Sequence, residues 1–376
     1  MAMAASNPAT GVIPRTLRVE RLKRLAFLCG LPLGGRKEEL IARLIAASDL
    51  PSPSKSRLGP VVLSIDLGIR NLAFSLLTPA SQTPAAKQQK RKSTRSPPPS
   101  TTEPLAVKLH AWQRLSLLDA AASAGARSGD DDDADLSLGA FTPAALAKTA
   151  NAFLQETVLQ FKPLPTHILI ERQRWRSGGA PAIQEWTVRV NTLEAMLHAS
   201  LRTLQDVGVW RGEVVSVRPE RVGQLFLEAD RLDAVQTKGS KELEEDETDE
   251  VKDIKGERDS SKKPRMKQTG SRKTGAETKK LKIDLLGRWL GQRDLVVQPG
   301  NPEVGRMLDA YRDTLKGTKR SKSKLIAEEA EIGGEPLKLG KKLDDLTDSL
   351  LQGIAWLRWQ ENTALLRRHR GLEQLL

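Results

Sequence analysis

The chain has 376 residues, enough for two domains or for one domain carrying long insertions. Its 60 Lys+Arg against 47 Asp+Glu give a formal net charge of +13, a balance that favours a polyanionic partner. No run approaches about eighteen consecutive apolar residues, so no membrane span is expected. The single cysteine, Cys29, excludes an intrachain disulfide and a thiolate zinc site, and His110, His167, His198 and His369 show no metal-ligand spacing. Any chemistry must therefore run on carboxylates.

The first nineteen residues lack acids and carry Arg15 and Arg18, a feeble transit-peptide signal. Thr16 to Ala47 holds two amphipathic helical patterns. Leu22, Leu25, Ala26 and Cys29 recur at helical spacing before Gly30, a C-terminal stop, and Leu40, Ile41, Leu44 and Ile45 share a face of the next helix. The turn between them reads Gly30, Leu31, Pro32, Leu33, Gly34, Gly35, Arg36, Lys37. It resembles the SAP motif, two short helices around a Gly-x-Pro-x-x-Gly-basic turn that contacts duplex DNA. Free N–H groups at the second helix's start, with Arg36 and Lys37 beside them, favour a phosphate; an ordinary helical hairpin is the alternative. The expected organisation is a disordered or transit segment over 1–15, a SAP-like helical module over 16–50, a Pro/Ser-rich linker from Leu50, and a second domain over 60–368.

That domain is organised around Val61 to Leu77, VVLSIDLGIRNLAFSLL. Its apolar run reads as a strand buried on both faces, and Asn71 to Leu77 as a second strand returning beside it. One carboxylate, Asp66, interrupts the run. Burying it costs several kcal/mol unless a cation compensates; the bland alternative is a turn cap near the surface. Leu105 to Leu115 is a third strand, Thr142 to Phe161 a helix with Thr142 as N-cap and Pro143 at its first position, and Thr166 to Glu171 a strand again ending in an acid. Arg172 to Ala180 is a basic loop. Ala182 to Leu204 reads as a long helix, Glu213 to Val217 as a strand, Lys279 to Leu290 as a helix, and Leu343 to Arg368 as the last helix, opening LDDLTDSLLQG. Insertions of disordered composition are expected at 79–104, 119–140, 230–278 and 316–340. The aspartate run Asp130 to Asp133 lacks the alternation of a calcium loop and reads as solvated.

Asp66, Glu171 and the helix acids Asp344, Asp345 and Asp348 lie on separated segments, each in an apolar setting. On the last helix Asp348 can sit over Asp345 or Asp344, a like-charge placement that a divalent cation would relieve. All-oxygen donors suit Mg²⁺, with Mn²⁺ as a substitute. Two such ions about 4 Å apart would activate a water and stabilise the leaving 3′ oxygen in phosphodiester hydrolysis.

The pieces IDLGIRNLAFSLL, ILIERQRWRSGG and KKLDDLTDSLLQGIAWLRWQ resemble the fungal mitochondrial Holliday-junction resolvases of the RNase H-like superfamily, related to RuvC. The resemblance implies an α/β fold: a mixed five-stranded sheet flanked by helices, preceded by the small helical SAP-like module. It implies a mitochondrial homodimer that nicks two opposed strands of a four-way DNA junction. Asp66, Glu171, Asp345 and Asp348 would bind the metal, with Asp344 also catalytic or standing in for Asp345. Gln173, Arg174, Trp175 and Arg176 would contact DNA, although Trp175 would serve equally as a hydrophobic anchor. The helix Ala182 to Leu204 would form the subunit interface, or simply cover the sheet. Three alternatives share parts of the pattern. A nuclease cutting RNA–DNA hybrids shares the acids, and a non-catalytic SAP-type DNA-binding protein shares the hairpin. An actin-like ATPase shares Asp66-Leu67-Gly68 but needs a second phosphate loop that the sequence lacks.

Overall fold

The computed structural model describes residues 13–49, 59–80, 105–117, 139–173, 183–227, 275–291, 296–316, 339, 343–368 and 371–376. Most of the four expected insertions lies outside these residues, as does most of the expected linker. Two N-terminal helices, α1 (Val19–Leu28) and α2 (Lys37–Asp49), form a hairpin. The strands β1 (Val62–Asp66), β2 (Leu72–Pro79) and β3 (Val107–Leu115) follow, then helix α3 (Pro143–Ala152), strand β4 (His167–Glu171), helix α4 (Glu185–Asp206) and strand β5 (Glu213–Val217). A short helix spans 219–227. The chain closes with α5 (Gly275–Gly291), β6 (Val297–Pro299), α6 (Pro302–Lys316), α7 (Asp344–Leu366) and α8 (Gly371–Leu375).

The described strands form a six-stranded sheet in the order β5-β4-β1-β2-β3-β6. Strands β1–β2 and β2–β3 pair antiparallel, whereas β4 lies parallel to β1, β5 to β4 and β6 to β3. The expected count of five is therefore one short. The missing strand, β6, has three residues, too few for alternation to reveal. Two further boundaries differ: α5 starts at Gly275, inside an expected insertion, and α6 fills a stretch to which the sequence pattern assigned no element. Thr142 does cap α3, its Oγ1 accepting from the Ala145 N–H at 3.3 Å. That helix then relaxes through a π turn (Phe153–Thr157) and a 3₁₀ turn (Val158–Gln160) instead of running on as α-helix to Phe161.

Side chains alternate across a strand, so each sheet face carries its own core. Leu63, Ile65, Phe74, Ile168 and Ile170 pack beneath α3 and α4, against Leu146, Phe153, Leu193 and Leu197. Val62, Ala73, Leu77, Leu109, Trp112 and Leu169 face α7, α5 and α6. Helix α7 is buried along most of its length and lies directly on the sheet. Gly353 permits that approach: a Cβ there would meet Leu77 Cδ2 at 2.6 Å. The hairpin packs on the far end of the same helix. Leu22, Leu25, Leu40 and Leu44 share a core with Leu366 and Leu375. Asn362 Nδ2 donates to the Leu28 carbonyl at 2.7 Å, and Arg367 Nε to that of Ser48 at 2.6 Å. Gly30, at φ 69°, lies so close over the Trp359 ring that a Cβ would sit 2.5 Å from it.

Candidate active site

Strand period and register bring the first two acids together. Val62 faces α7, so Ser64 and Asp66, two and four residues on, share that face. On β4, Leu169 faces α7, and Glu171 follows by the same rule. Parallel pairing sets Ile65 against Ile170, so Asp66 and Glu171 end neighbouring strands side by side. The fold then lays the first turns of α7 across them. This placement is pinned by buried polar contacts: Gln352 Nε2 donates to Ser64 Oγ (3.1 Å) and the Ile65 carbonyl (3.2 Å), Ser75 Oγ to the Ser349 carbonyl (3.0 Å), and Trp112 Nε1 to the Leu346 carbonyl (3.0 Å). Tyr311 OH meets Thr347 Oγ1 at 2.6 Å.

The electrostatics of Asp66 report the result. Its carboxyl is held well above the ordinary carboxylate range, first by burial, then by a hydrogen bond shared with Glu171 and by the charges of Glu171, Asp348 and Asp345. Four carboxyl groups from three elements thus lie near enough for the other three to act on Asp66. Asp345 Oδ2 is shielded from solvent. Asp344, its neighbour, turns instead to Lys279, whose Nζ lies 2.6 Å from Asp344 Oδ2 and whose ammonium form is favoured by that contact. The two adjacent aspartates thus differ in surroundings: the charge of Asp345 acts on Asp66, and Asp344 pairs with Lys279.

A cation that the sequence pattern did not single out completes the cluster. Lys282 on α5 donates from Nζ to Asp348 Oδ1 at 2.9 Å, and its side chain is 12% exposed. Helix α5 therefore carries a tethered positive charge to the acids of α7. With lysines engaging Asp344 and Asp348, no group of three His, Cys, Asp or Glu side chains among the described residues is closed around a single point. The donor set nonetheless fits a hard divalent cation. It consists of carboxyl oxygens alone, and Asp66 and Glu171 are close enough to share a proton, which a bound divalent cation would displace.

The other sequence-predicted residues are more dispersed. Gln173 lies two residues past Glu171; its N–H donates to Glu194 Oε2 at 3.1 Å and its Nε2 to the Leu67 carbonyl at 3.4 Å. Arg174, Trp175 and Arg176 lie outside the described residues. Arg36 is exposed and Lys37 half-buried, in the hairpin and apart from the acids. The start of α2 departs from expectation in one respect. Glu39 Oε2 accepts from the Arg36 N–H at 3.3 Å, so the helix caps itself with its own carboxylate.

A mixed α/β sheet with carboxyl groups gathered where its neighbouring parallel strands β1 and β4 end defines the class of protein. The sequence profile of the mitochondrial resolvase Ydc2 / RNA splicing MRS1 family matches residues 62–366, and the chain belongs to that family. Over 188 residues it is 33% identical to "Cruciform cutting endonuclease 1, mitochondrial" of Schizosaccharomyces pombe, an alignment covering 49% of this chain and 55% of that protein. The chain thus spans about half the length of this curated relative. The crystal structure of the yeast mitochondrial Holliday junction resolvase Ydc2 superposes with a TM-score of 0.50 at 21% identity, over 96% of this chain and 99% of that one, which establishes the shared fold. Among the described residues no helix is long and apolar enough to cross a membrane.

Proposed function

We propose that the chain is a metal-dependent endonuclease that resolves four-way DNA junctions. The observation that carries this reading is the convergence of Asp66, Glu171, Asp345 and Asp348 from β1, β4 and α7. A purely nucleic-acid-binding protein has no use for such a cluster, whose like charges cost stability. Asp66, Glu171, Asp345 and Asp348 would hold Mg²⁺, with Mn²⁺ able to replace it. Bound there, the metal supplies an activated water and a counter-charge for the leaving 3′ oxygen. The chain's own groups do the rest. The parallel register of β1 and β4 sets Asp66 and Glu171 side by side, and Lys282 fixes Asp348. The contacts of Gln352, Ser75 and Trp112 hold α7 in register over β1.

The paired cuts that resolution needs imply two copies of the site, hence a homodimer. Ile183, Trp186 and Val188, at and before the start of α4, are each about two-fifths exposed and offer apolar surface for a second copy. The remainder of that helix covers the sheet through Leu193, Leu197 and Leu201. The relatives are mitochondrial proteins, and the same setting is assigned to this chain. The family description also names an RNA splicing protein; the acids favour the nuclease.

The test is a Mg²⁺ cleavage assay on a labelled four-way junction, with duplex DNA and an RNA–DNA hybrid alongside. Symmetric paired nicks confined to the junction are the expected result. Cutting of the hybrid alone would keep the metal site and reject the substrate. Tight binding without cutting in Mg²⁺ or Mn²⁺ would reject the enzyme.

A further inference from the structure

A cleft of about 480 Å³ opens between the hairpin turn at 33–34 and the edge of the sheet just past Glu171. Its described lining holds Arg172, Arg218 and Arg221 against one acid, Glu220, with Gln173 and Gln224 completing the polar wall. Strand register creates this concentration of charge. Glu171 pairs with Val217 in parallel, and the Arg172 N–H donates to the Val217 carbonyl at 2.8 Å, so Arg172 and Arg218 leave neighbouring strands side by side. Adjacent strands lie about 4.8 Å apart, and like charges set opposite one another destabilise a sheet. The third arginine adds to the strain. Arg221 is fixed by its NH1 donating to the Gly30 carbonyl at 2.7 Å, and its guanidinium is disfavoured by burial and by the charges of Arg218 and Arg43, with only Glu220 opposing. Arg43 is itself tied to the turn through the Pro32 and Gly34 carbonyls. Three arginines against one glutamate around an open polar cleft favour an anion there.

We infer that this cleft is a phosphate-binding site for the DNA backbone, gripping the strand one step from the carboxylate cluster and seating it against the helical hairpin. This rests on the nuclease reading above and deepens it, because it moves the backbone contact from the start of α2 to the arginines of the core. The start of α2 is a poor anion site by comparison, since Glu39 already occupies it. Arg172 and Arg218 are exposed at the rim and free to meet phosphate oxygens in forked geometry, whereas Arg221 braces the hairpin from below.

The experiment uses the full chain in metal-free buffer, with fluorescence anisotropy of a labelled four-way junction measured across a salt series. Wild type is compared with Arg172→Gln, Arg218→Gln and the double variant. Lys148→Gln, an exposed position on α3, controls for loss of charge alone. Each phosphate contact releases counterions, so each arginine variant should lower the slope of log K against log salt by about 0.9 and weaken binding about 5–10-fold near 0.1 M salt. Arg221 is left intact because it supports the hairpin; thermal melting confirms that each variant is folded. Slopes and affinities of the arginine variants that match Lys148→Gln would overturn the assignment while leaving the nuclease reading standing. A folded wild-type chain that binds neither junction nor duplex would overturn the nuclease reading and the cleft with it.

Discussion

Replacing Lys282 by Met tests the electrostatic account of the cluster directly. The substitution keeps the length of the stem and removes an ammonium 2.9 Å from Asp348 Oδ1, in a pair whose side chains are 12% and 27% exposed. At an effective dielectric near 20 the gross attraction is roughly 6 kcal/mol. Desolvation cancels much of this, and the pair lies between the exposed limit of about 0–1 kcal/mol and the buried limit of about 3–5 kcal/mol, so a net loss of about 2 kcal/mol is expected. For a domain of this size that lowers Tm by about 4–8 °C. The loss should appear in metal-free protein and shrink as Mg²⁺ is added, because a divalent cation replaces the missing charge and competes with no lysine in the variant. Differential scanning fluorimetry across a Mg²⁺ series measures both effects. A metal-free Tm within 1 °C of wild type, or a Mg²⁺-induced rise no larger than in wild type, would refute the idea that Lys282 compensates the acids.

The other expectations are simpler. Asp66→Asn should abolish cutting by about 10³-fold or more while leaving junction affinity unchanged, and should raise the Tm of metal-free protein by removing a carboxyl whose ionisation the folded site opposes; single-turnover cleavage, gel shift and melting read the three effects. Gly353→Val places branched carbon where Leu77 and Ser64 already sit, so it should destabilise the fold by about 1–3 kcal/mol and displace the α7 acids, measured by urea denaturation. His167 is buried against Trp356, and burial holds its imidazole below the ordinary histidine range, outweighing Glu213. Its folded value lies below its unfolded one, so the stability it supports is present above the ordinary histidine range and is lost as pH falls through the folded value. Melting temperatures should therefore drop from pH 7.5 toward pH 5, and the drop should be shallower in His167→Phe.

What could be read from the sequence was what local pattern encodes. Asp66 and Glu171 each end an apolar run, and the LDDLTD opening of α7 precedes a long buried helix; a lone acid in such surroundings is visible without coordinates. Strand β6 was not, because three residues carry no period. Helix α6 did leave a signal that the sequence reading passed over. Asn301 caps it, Oδ1 accepting from the Val304 N–H at 2.9 Å, and Pro302 follows at the first helical position. Lys282 left none. Its partner Asp348 lies 66 residues away, and only the packing of α5 on α7 joins them. The same holds for the arginine cleft, which exists because β4 and β5 pair in one register and not another. Asp344 and Asp345 show the boundary sharply: adjacent in sequence, they are separated in role by a helical rotation of about 100°.

Helix α7 has a further consequence. Its opening turn carries the acids, and Trp359, near its other end, is the seat on which Gly30 and the hairpin rest. At about 1.5 Å per residue, Asp345 and Trp359 stand roughly 21 Å apart along one rigid rod. Helix α7 is thus a ruler as well as a scaffold. The distance from the acids to the hairpin's seat on Trp359 is therefore written into the length of a single helix. Inserting one turn between Gly353 and Trp359 would lengthen that distance by about 5.4 Å and carry the hairpin's seat away from the acids.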